Sequence, residues 1–303
     1  MLIRYVTDRI RRRFEHGVAV AYFRDVVRPK ILRTAPITGT TDGRCELHVL
    51  TSRQDWLNLI WALKSFYHAS GRKYRLCIHD DGSVPDQGLD HLRRHFPDGR
   101  LILRKEADQR VFAELAPYPR CLQFRKTNLL APKLFDFAVY LESDRMLLFD
   151  SDLLFFREPT ALIQSIEDPA CQINVFNSDC ADDAYTVTPT VAAEHLGLAL
   201  QKSINSGLGL IHRSSVRWDW IEEFLGIPGI LDGYFWRIEQ TLFALSASRF
   251  GVKLLPKEYT LYLTPGLGDR PFRHYVGHIR HLMYGEGIRR LNRDNLLRRL
   301  SQR

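Results

Sequence analysis

The apolar positions of this chain change period repeatedly. LHVLTS (47–52) reads as a strand. DWLNLIWALKSFYHASG follows, with apolar residues at 56, 59, 60, 63, 66 and 67, a helical spacing that stops at Gly71. YRLCIHDDGS (74–83) reads as a second strand running into an acidic glycine turn. After Pro85 a short helix leads to a third strand, RLILRK (100–105). A helix is expected at roughly 125–138, then MLLF and LLFF as two buried strand ends, INVFN (173–177) and LGLIHR (208–213). Helices near 215–225 and 236–248 and a strand-like VKLLP (252–256) complete the pattern. The aromatics of GYFWRIEQ (233–240) read as core, with one available to stack on a sugar. Strand and helix in alternation predict an α/β fold whose sheet is built from parallel βαβ units.

No internal repeat or linker splits the chain after residue 44, which predicts a basic amphipathic arm (1–44), one domain (45–282) and a basic C-terminal helix or tail (283–303). No apolar run approaches the ~18 residues of a membrane span. VAVAYF (18–23) is short, is followed by Arg24-Asp25, and does not read as a cleaved signal peptide. Five scattered cysteines without a C-x-x-C pair predict reduced core thiols and a cytoplasmic protein, not a disulfide framework or a zinc site.

Charge changes this picture once it is located. Residues 1–33 carry nine basic and three acidic residues, and 273–303 carry eight and two. The net +8 therefore sits on the two ends, and the body is mildly acidic. A nucleic-acid binder would put its basic stripe on the folded body, so nucleic acid is not an expected partner. Ile3, Val6, Ile10 and Phe14 step by three or four, with Arg4, Arg9, Arg11, Arg12 and Arg13 mostly off that line. Such a helix either lies on an anionic membrane surface, at the inner face, or packs on the body with its arginines in water. IRRLNRDNLLRRLSQR allows the same two readings.

Within this frame MLLFDSDLLFF (146–156) sets Asp150 and Asp152 around Ser151 in an apolar run. Two buried carboxylates so close together repel and are costly without a partner. A divalent cation, or a cation carrying a phosphate, answers that cost. His274 offers an imidazole to the same ion, and an oxygen-rich set with one histidine suits Mn²⁺ or Mg²⁺ on a diphosphate. Thr51, Ser52, Asp80 and Asp81 fall at strand carboxyl ends, where open parallel sheets bind ligands. Asp81 before Gly-Ser also reads as the cap of a turn. Asn205-Ser206-Gly207, just before a strand, offers hydrogen bonds to a polyol. A haloacid-dehalogenase-type phosphatase also has D-x-D after a strand, but near the start of its domain; here about a hundred residues of α/β pattern precede it.

F-D-S-D-L after an apolar strand, with D-D-G-S at an earlier strand end, resembles nucleotide-sugar glycosyltransferases of the GT-A fold. NSGLGLIHR (205–213), IEQTLFAL (238–245) and HYVGHIR (274–280) follow in the order of the glycogenin and lipopolysaccharide galactosyltransferase group, over roughly residues 45–282. The resemblance implies a single GT-A-like (Rossmann-like) domain with a mixed, mainly parallel sheet flanked by helices. It implies Asp150, Asp152 and His274 as metal ligands, with Asp150 and Ser151 also at the donor. Ser52, Asp80, Asp81, Asn205, Gly277 and Arg280 would bind the donor, Lys126 or Lys133 would contact its diphosphate or sugar, and Glu239 and Gln240 would line the reacting sugar. The group's ending His-x-x-Gly-x-x-Lys-Pro-Trp is here His274, Gly277, then Arg280-His281-Leu282, so the cation is kept as arginine and the next two residues are not. The D-D-G-S turn is more usual in inverting members.

The expected function is transfer of a sugar from a nucleotide-diphosphate donor to a glycan or lipid-linked acceptor, dependent on Mn²⁺ or Mg²⁺. The rival is a non-catalytic carbohydrate- or membrane-binding module on a degenerate transferase scaffold, motivated by the basic ends.

Overall fold

The computed structural model describes residues 13–181 and 184–302, apart from the side chain of residue 42. Most of the N-terminal amphipathic pattern, from Ile3 to Ile10, lies outside the described residues.

Seven strands form the central sheet: β1 (Thr41–Thr51), β2 (Tyr74–Asp80), β3 (Arg100–Ile102), β4 (Arg145–Phe149), β6 (Asn174–Ser178), β7 (Ile204–His212) and β8 (Val252–Leu254), in the spatial order β3-β2-β1-β4-β7-β6-β8. The first four are mutually parallel. β7 runs antiparallel to β4 and to β6, and β8 pairs parallel with β6. Two further strands, β5 (Leu153–Phe155) and β9 (Phe272–His274), make a separate antiparallel ribbon.

The central strands are apolar almost throughout because both faces of the sheet are covered. Alternate side chains enter different cores: Leu147 and Phe149 point to one, Met146 and Leu148 to the other, and Leu208 and Leu210 oppose Ile211 in the same way. Helix α1 (Trp56–Ser70) covers the first face and is buried along most of its length. It ends where Gly71 takes a left-handed φ of 66° and donates its N–H to the Tyr67 carbonyl. The β5–β9 ribbon lies on α1, tied by the Phe155 N–H to Ser65 Oγ at 3.1 Å and by Phe155 packed on Phe66, Phe149 and Phe272. Helices α2 (Asp86–His95), α3 (Arg104–Glu114) and α4 (Pro119–Thr127) follow β2 and β3, and the long α5 (Phe235–Phe250) packs on β7 across the second face.

The structure departs from the sequence pattern at several points. The helix expected at 125–138 is interrupted after Thr127 and resumes as Ala131–Leu134 and Asp136–Tyr140. Asn128 causes the break: its Oδ1 accepts from the Leu130 N–H, its Nδ2 donates to the Phe235 carbonyl at 2.9 Å, and Pro132 follows. Asn205-Ser206-Gly207 lies inside β7, not ahead of it, and His274 ends β9, a strand the sequence pattern does not predict. The aromatics expected in the core are at the surface: Tyr234, Phe235 and Trp236 are all exposed, and only from Ile238 onward does α5 become buried. β1 begins at Thr41, inside the segment the sequence assigns to the arm.

The C-terminal segment lays its apolar stripe on the body. Leu291, Leu296 and Leu300 join Val27 and Ile31 in the first core, and the Ala35 N–H reaches the Leu300 carbonyl at 3.0 Å. No described helix is long and apolar enough to cross a membrane.

Candidate active site

The sheet order creates the site. From β1 the chain crosses to β2 on one side and β4 on the other, the switch at which open α/β sheets leave a crevice beyond their carboxyl ends. Because β7 is antiparallel to β4, its first residues arrive at that same edge: Phe149 pairs with Leu208, and the Asp150 N–H donates to the Gly207 carbonyl at 2.9 Å. The chain then turns through Ser151 into β5, whose partner β9 sets Leu153 opposite His274, with the Tyr275 N–H on the Asp152 carbonyl.

Asp150, Asp152 and His274 thereby converge. His274 Nε2 is 3.0 Å from Asp152 Oδ1 and 3.5 Å from Asp150 Oδ2, while its Nδ1 lies 3.0 Å from Asn205 Oδ1. The approach is close enough to require glycine at 207, since a Cβ there would stand 2.2 Å from His274 Cε1. Asp152 and His274 are buried, and Asp150 is 30% exposed. Burial alone would raise the Asp152 carboxyl, but Arg280 and His274 hold it down to about 2. Burial works the other way on His274, and Asp152 and Asp150 overcome it, keeping the imidazolium favoured above its ordinary range. Arg280 Nη2 donates to Asp152 Oδ2 at 2.8 Å, and its Nη1 pairs with Asp55.

On the other side Lys133, fully buried, lies between two carboxylates: 2.9 Å from Asp150 Oδ1 and 3.0 Å from Glu239 Oε1, with a third bond to the Ser206 carbonyl. One ammonium faces two acids, so they do not share it equally. Glu239 is the deeper, and its burial pushes it up to about 7 despite Lys133 and the 2.7 Å bond from Ser206 Oγ. Lys133, with its charge held by Asp150 and Glu239 against desolvation, stays protonated. Gln240 accepts from the Ser206 N–H and from Asn205 Nδ2, and Asp179 Oδ2 accepts from Asn205 Nδ2 at 2.9 Å and from Gln240.

The structure thus brings Asp150, Asp152, His274, Asn205, Lys133, Glu239, Gln240 and Arg280 into one network, with Ser151 buried in the turn. Ser52 joins at one remove, through its 3.1 Å bond to Asp55. Asp80 and Asp81 stand apart, at the end of β2. Asp80 accepts from the Val84 N–H, and Asp81 accepts from the N–H and hydroxyl of Ser83, as the turn reading required. Asp80 also lines an open cleft of about 700 Å³ with Gly82, Arg104, Lys105 and Phe112. Lys126 is exposed, its ammonium 5.2 Å over the ring of Phe112, away from the carboxylates. Gly277 opens a short turn in free space.

Two members were missed: Asp55, which anchors Arg280, and Asp179, which orders Asn205 and Gln240. Asp179 follows directly on β6, the same strand-end position that drew attention to Asp80. A second set of ligand-type atoms sits inside the sheet, where His48 Nδ1 is 3.1 Å from His79 Nε2 and Cys77 Sγ 3.3 Å from it. Burial lowers the basicity of both imidazoles, and the set is packed under Phe137 as core.

No family model matches the chain, and no curated protein matches it in sequence. Solved structures match in fold. The galactosyltransferase LgtC, solved with donor and acceptor sugar analogues, superposes with a TM-score of 0.52 at 16% identity, over 84% of this chain and 96% of that one. The apo bifunctional glycosyltransferase WbbM gives 0.51 at 12% identity, over 80% of this chain and 47% of that one, so this chain spans about half of its length. An active-site mutant of LgtC gives 0.52 at 16% identity. The chain has the GT-A fold these glycosyltransferases share.

Proposed function

We propose that this chain is a glycosyltransferase that takes a sugar from a nucleotide-diphosphate donor with the help of a divalent cation. The observation that carries the reading is the convergence of Asp150, Asp152 and His274 at the carboxyl end of β4, beside the Lys133–Glu239 pair. Two carboxylates and one imidazole suit Mn²⁺ or Mg²⁺. Asp152 Oδ1 and His274 Nε2 face each other at 3.0 Å, with Asp150 Oδ2 3.5 Å from the same nitrogen. This cluster of ligand-type atoms is compact enough for one ion to take the place of the imidazolium proton, so the residues present fit such an ion. Bound by these three, the ion would neutralise charge on the departing diphosphate.

The chain's own residues supply the rest. Arg280 takes one oxygen of Asp152, which leaves the other toward the ion and puts a guanidinium at the diphosphate's edge. The cleft lined by Asp80, Gly82, Arg104 and Lys105 receives base and ribose, with Asp81 shaping its turn and Lys126 and Ser52 at its margins. Asn205, Gln240 and Glu239 line the reacting sugar. As the acceptor oxygen bonds to the anomeric carbon, the bond to the diphosphate breaks. The acceptor's proton passes to a base, and Glu239, titrating near neutrality, is the group at hand.

Beyond Glu239 lies the acceptor side. Trp236 sits one turn before Glu239 and Gln240 on the same face of α5, its ring parallel to Tyr234 at 6.2 Å. Exposed Leu129 is held nearby by Asn128, so an aromatic shelf suited to a sugar ring borders the polar site.

The test is release of nucleoside diphosphate from a panel of nucleotide sugars in the presence of Mn²⁺. Asp152→Asn is expected to reduce release on the order of 100-fold while the far-ultraviolet spectrum stays unchanged. Full activity in a folded Asp152→Asn protein would remove the reading.

A further inference from the structure

Four polar side chains meet inside the sheet, on a face where the covered strands call for apolar ones. β1 and β2 run parallel, with His48 opposite Cys77 and Leu50 opposite His79. Alternation sends Leu47, Val49, Leu76 and Ile78 into the first core. It sends Glu46, His48, Cys77 and His79 to the other face, where each is 1% exposed or less. Along the chain the set reads as two short patterns, E-x-H (46–48) and C-x-H (77–79). No C-x-x-C pair is needed, because each of two adjacent strands supplies its groups two residues apart.

Their own hydrogens serve these groups poorly. Burial keeps both imidazoles uncharged. Burial would also raise the Glu46 carboxyl, but His48, the Glu142 N–H at 2.7 Å and Arg100 hold it down to about 2. That carboxylate, 3.5 Å from His48 Nε2, draws the ring's hydrogen to Nε2 and leaves the Nδ1 lone pair facing His79 Nε2 at 3.1 Å. Cys77 Sγ stands 3.3 Å from the same His79 nitrogen. One hydrogen on His79 Nε2 would have to serve both neighbours. His79 Nδ1 has no hydrogen-bond partner that would hold the ring in that tautomer.

We propose that His48 Nδ1, Cys77 Sγ and His79 Nε2 bind one thiophilic d10 cation, Cu⁺ or Zn²⁺, between β1 and β2. The three atoms lie within 4.8 Å of one another and share no residue with the Asp150, Asp152 and His274 group. Around one such ion, at about 2.0 Å to nitrogen and about 2.3 Å to sulfur, neighbouring ligand atoms stand about 3.3–3.6 Å apart. The observed 3.1 and 3.3 Å therefore need only small outward shifts. One sulfur with two imidazole nitrogens suits these ions and not the oxygen-seeking Mn²⁺ or Mg²⁺. Glu46 stands behind the set, as the carboxylate that orients a ligating histidine through its other ring nitrogen. Binding releases one proton. Cys77, which burial holds as a thiol, gives up its hydrogen to become the thiolate, and His79 moves its hydrogen from Nε2 to Nδ1. The ion would clasp the two strands whose ends carry Thr51 and Asp80. Nothing in this depends on the glycosyltransferase reading.

The test is the metal content of the full chain, expressed in medium supplemented with copper or with zinc and washed with a chelator during purification. Expression with the metal present lets the ion enter before the core closes over it. About one equivalent is expected to survive the wash. X-ray absorption at the metal edge should show one sulfur at about 2.3 Å beside nitrogens at about 2.0 Å. Cys77→Ser should retain less than about a tenth of the metal. Cys121→Ser, at another buried thiol, and Asp152→Asn should both keep the full equivalent. Retention of copper only, zinc only or both upholds the site and identifies the ion. No retained metal from either medium, a metal shell without sulfur, or undiminished retention in Cys77→Ser would overturn the proposal. Should Cys77→Ser fail to fold, the sulfur in the wild-type spectrum decides.

Discussion

At the residue scale the site is defined by how few groups satisfy how many charges. His274 touches both aspartates, and it does so only because position 207 lacks a side chain. Gly207→Ala is therefore expected to displace the imidazole and weaken Mn²⁺ binding roughly ten- to hundredfold, read by paramagnetic resonance titration. Gly277→Ala, where a Cβ would meet nothing within 4 Å, should leave that affinity unchanged and serves as the control. Equal affinity in Gly207→Ala would show that His274 is no ligand. Glu239 supports a second prediction. Its folded value of about 7 lies above the ordinary 4.5, so the native state holds this proton more tightly than the unfolded chain. The resulting stabilisation is complete below about pH 4.5 and is lost as pH rises through 7, with a slope of up to about 1.4 kcal/mol per unit. Denaturant melts of Glu239→Gln across that window should show a flatter pH dependence than wild type; superimposable profiles would contradict the burial argument.

Elements explain what was legible in advance and what was not. Strand-end carboxylates and the buried Asp-Ser-Asp turn were readable because each sets a charge against an apolar pattern, whereas Glu239 and Gln240 entered only through the family resemblance. The pairing of β5 with β9 was not, because a period of two reports burial and does not name the partner strand. Arg280's hold on Asp152 depends on that ribbon, so the family resemblance could assign the cation to the donor but nothing in the local pattern could reveal Asp55 as its anchor. Tyr234, Phe235 and Trp236 were misplaced for the converse reason: aromatic composition signals apolar area, and only the tertiary position of α5's first turn shows that area facing water. If that shelf receives the acceptor, Trp236→Ala should raise the acceptor concentration needed for half-maximal transfer by about tenfold, with nucleoside diphosphate release into water unchanged. A loss of both activities together would place Trp236 in the donor site instead.

For the whole molecule, the GT-A topology places two features beyond the strand ends: the cleft beyond β2 and β3, and the carboxylate–imidazole group beyond β4. The proposed nucleotide-diphosphate sugar would span both, with the proposed cation held at Asp150, Asp152 and His274. The central claim is that this edge is a metal-dependent donor site. The most direct measurement is the thermal unfolding shift with a panel of nucleoside diphosphates, each with and without Mn²⁺, for wild type and Asp152→Asn. A ligand at ~100 times its Kd adds about 2.7 kcal/mol, well within detection. The predicted result is stabilisation of wild type by at least one nucleoside diphosphate, present only with Mn²⁺ and absent in Asp152→Asn. No shift with any nucleotide, or the same shift in Asp152→Asn, would contradict it.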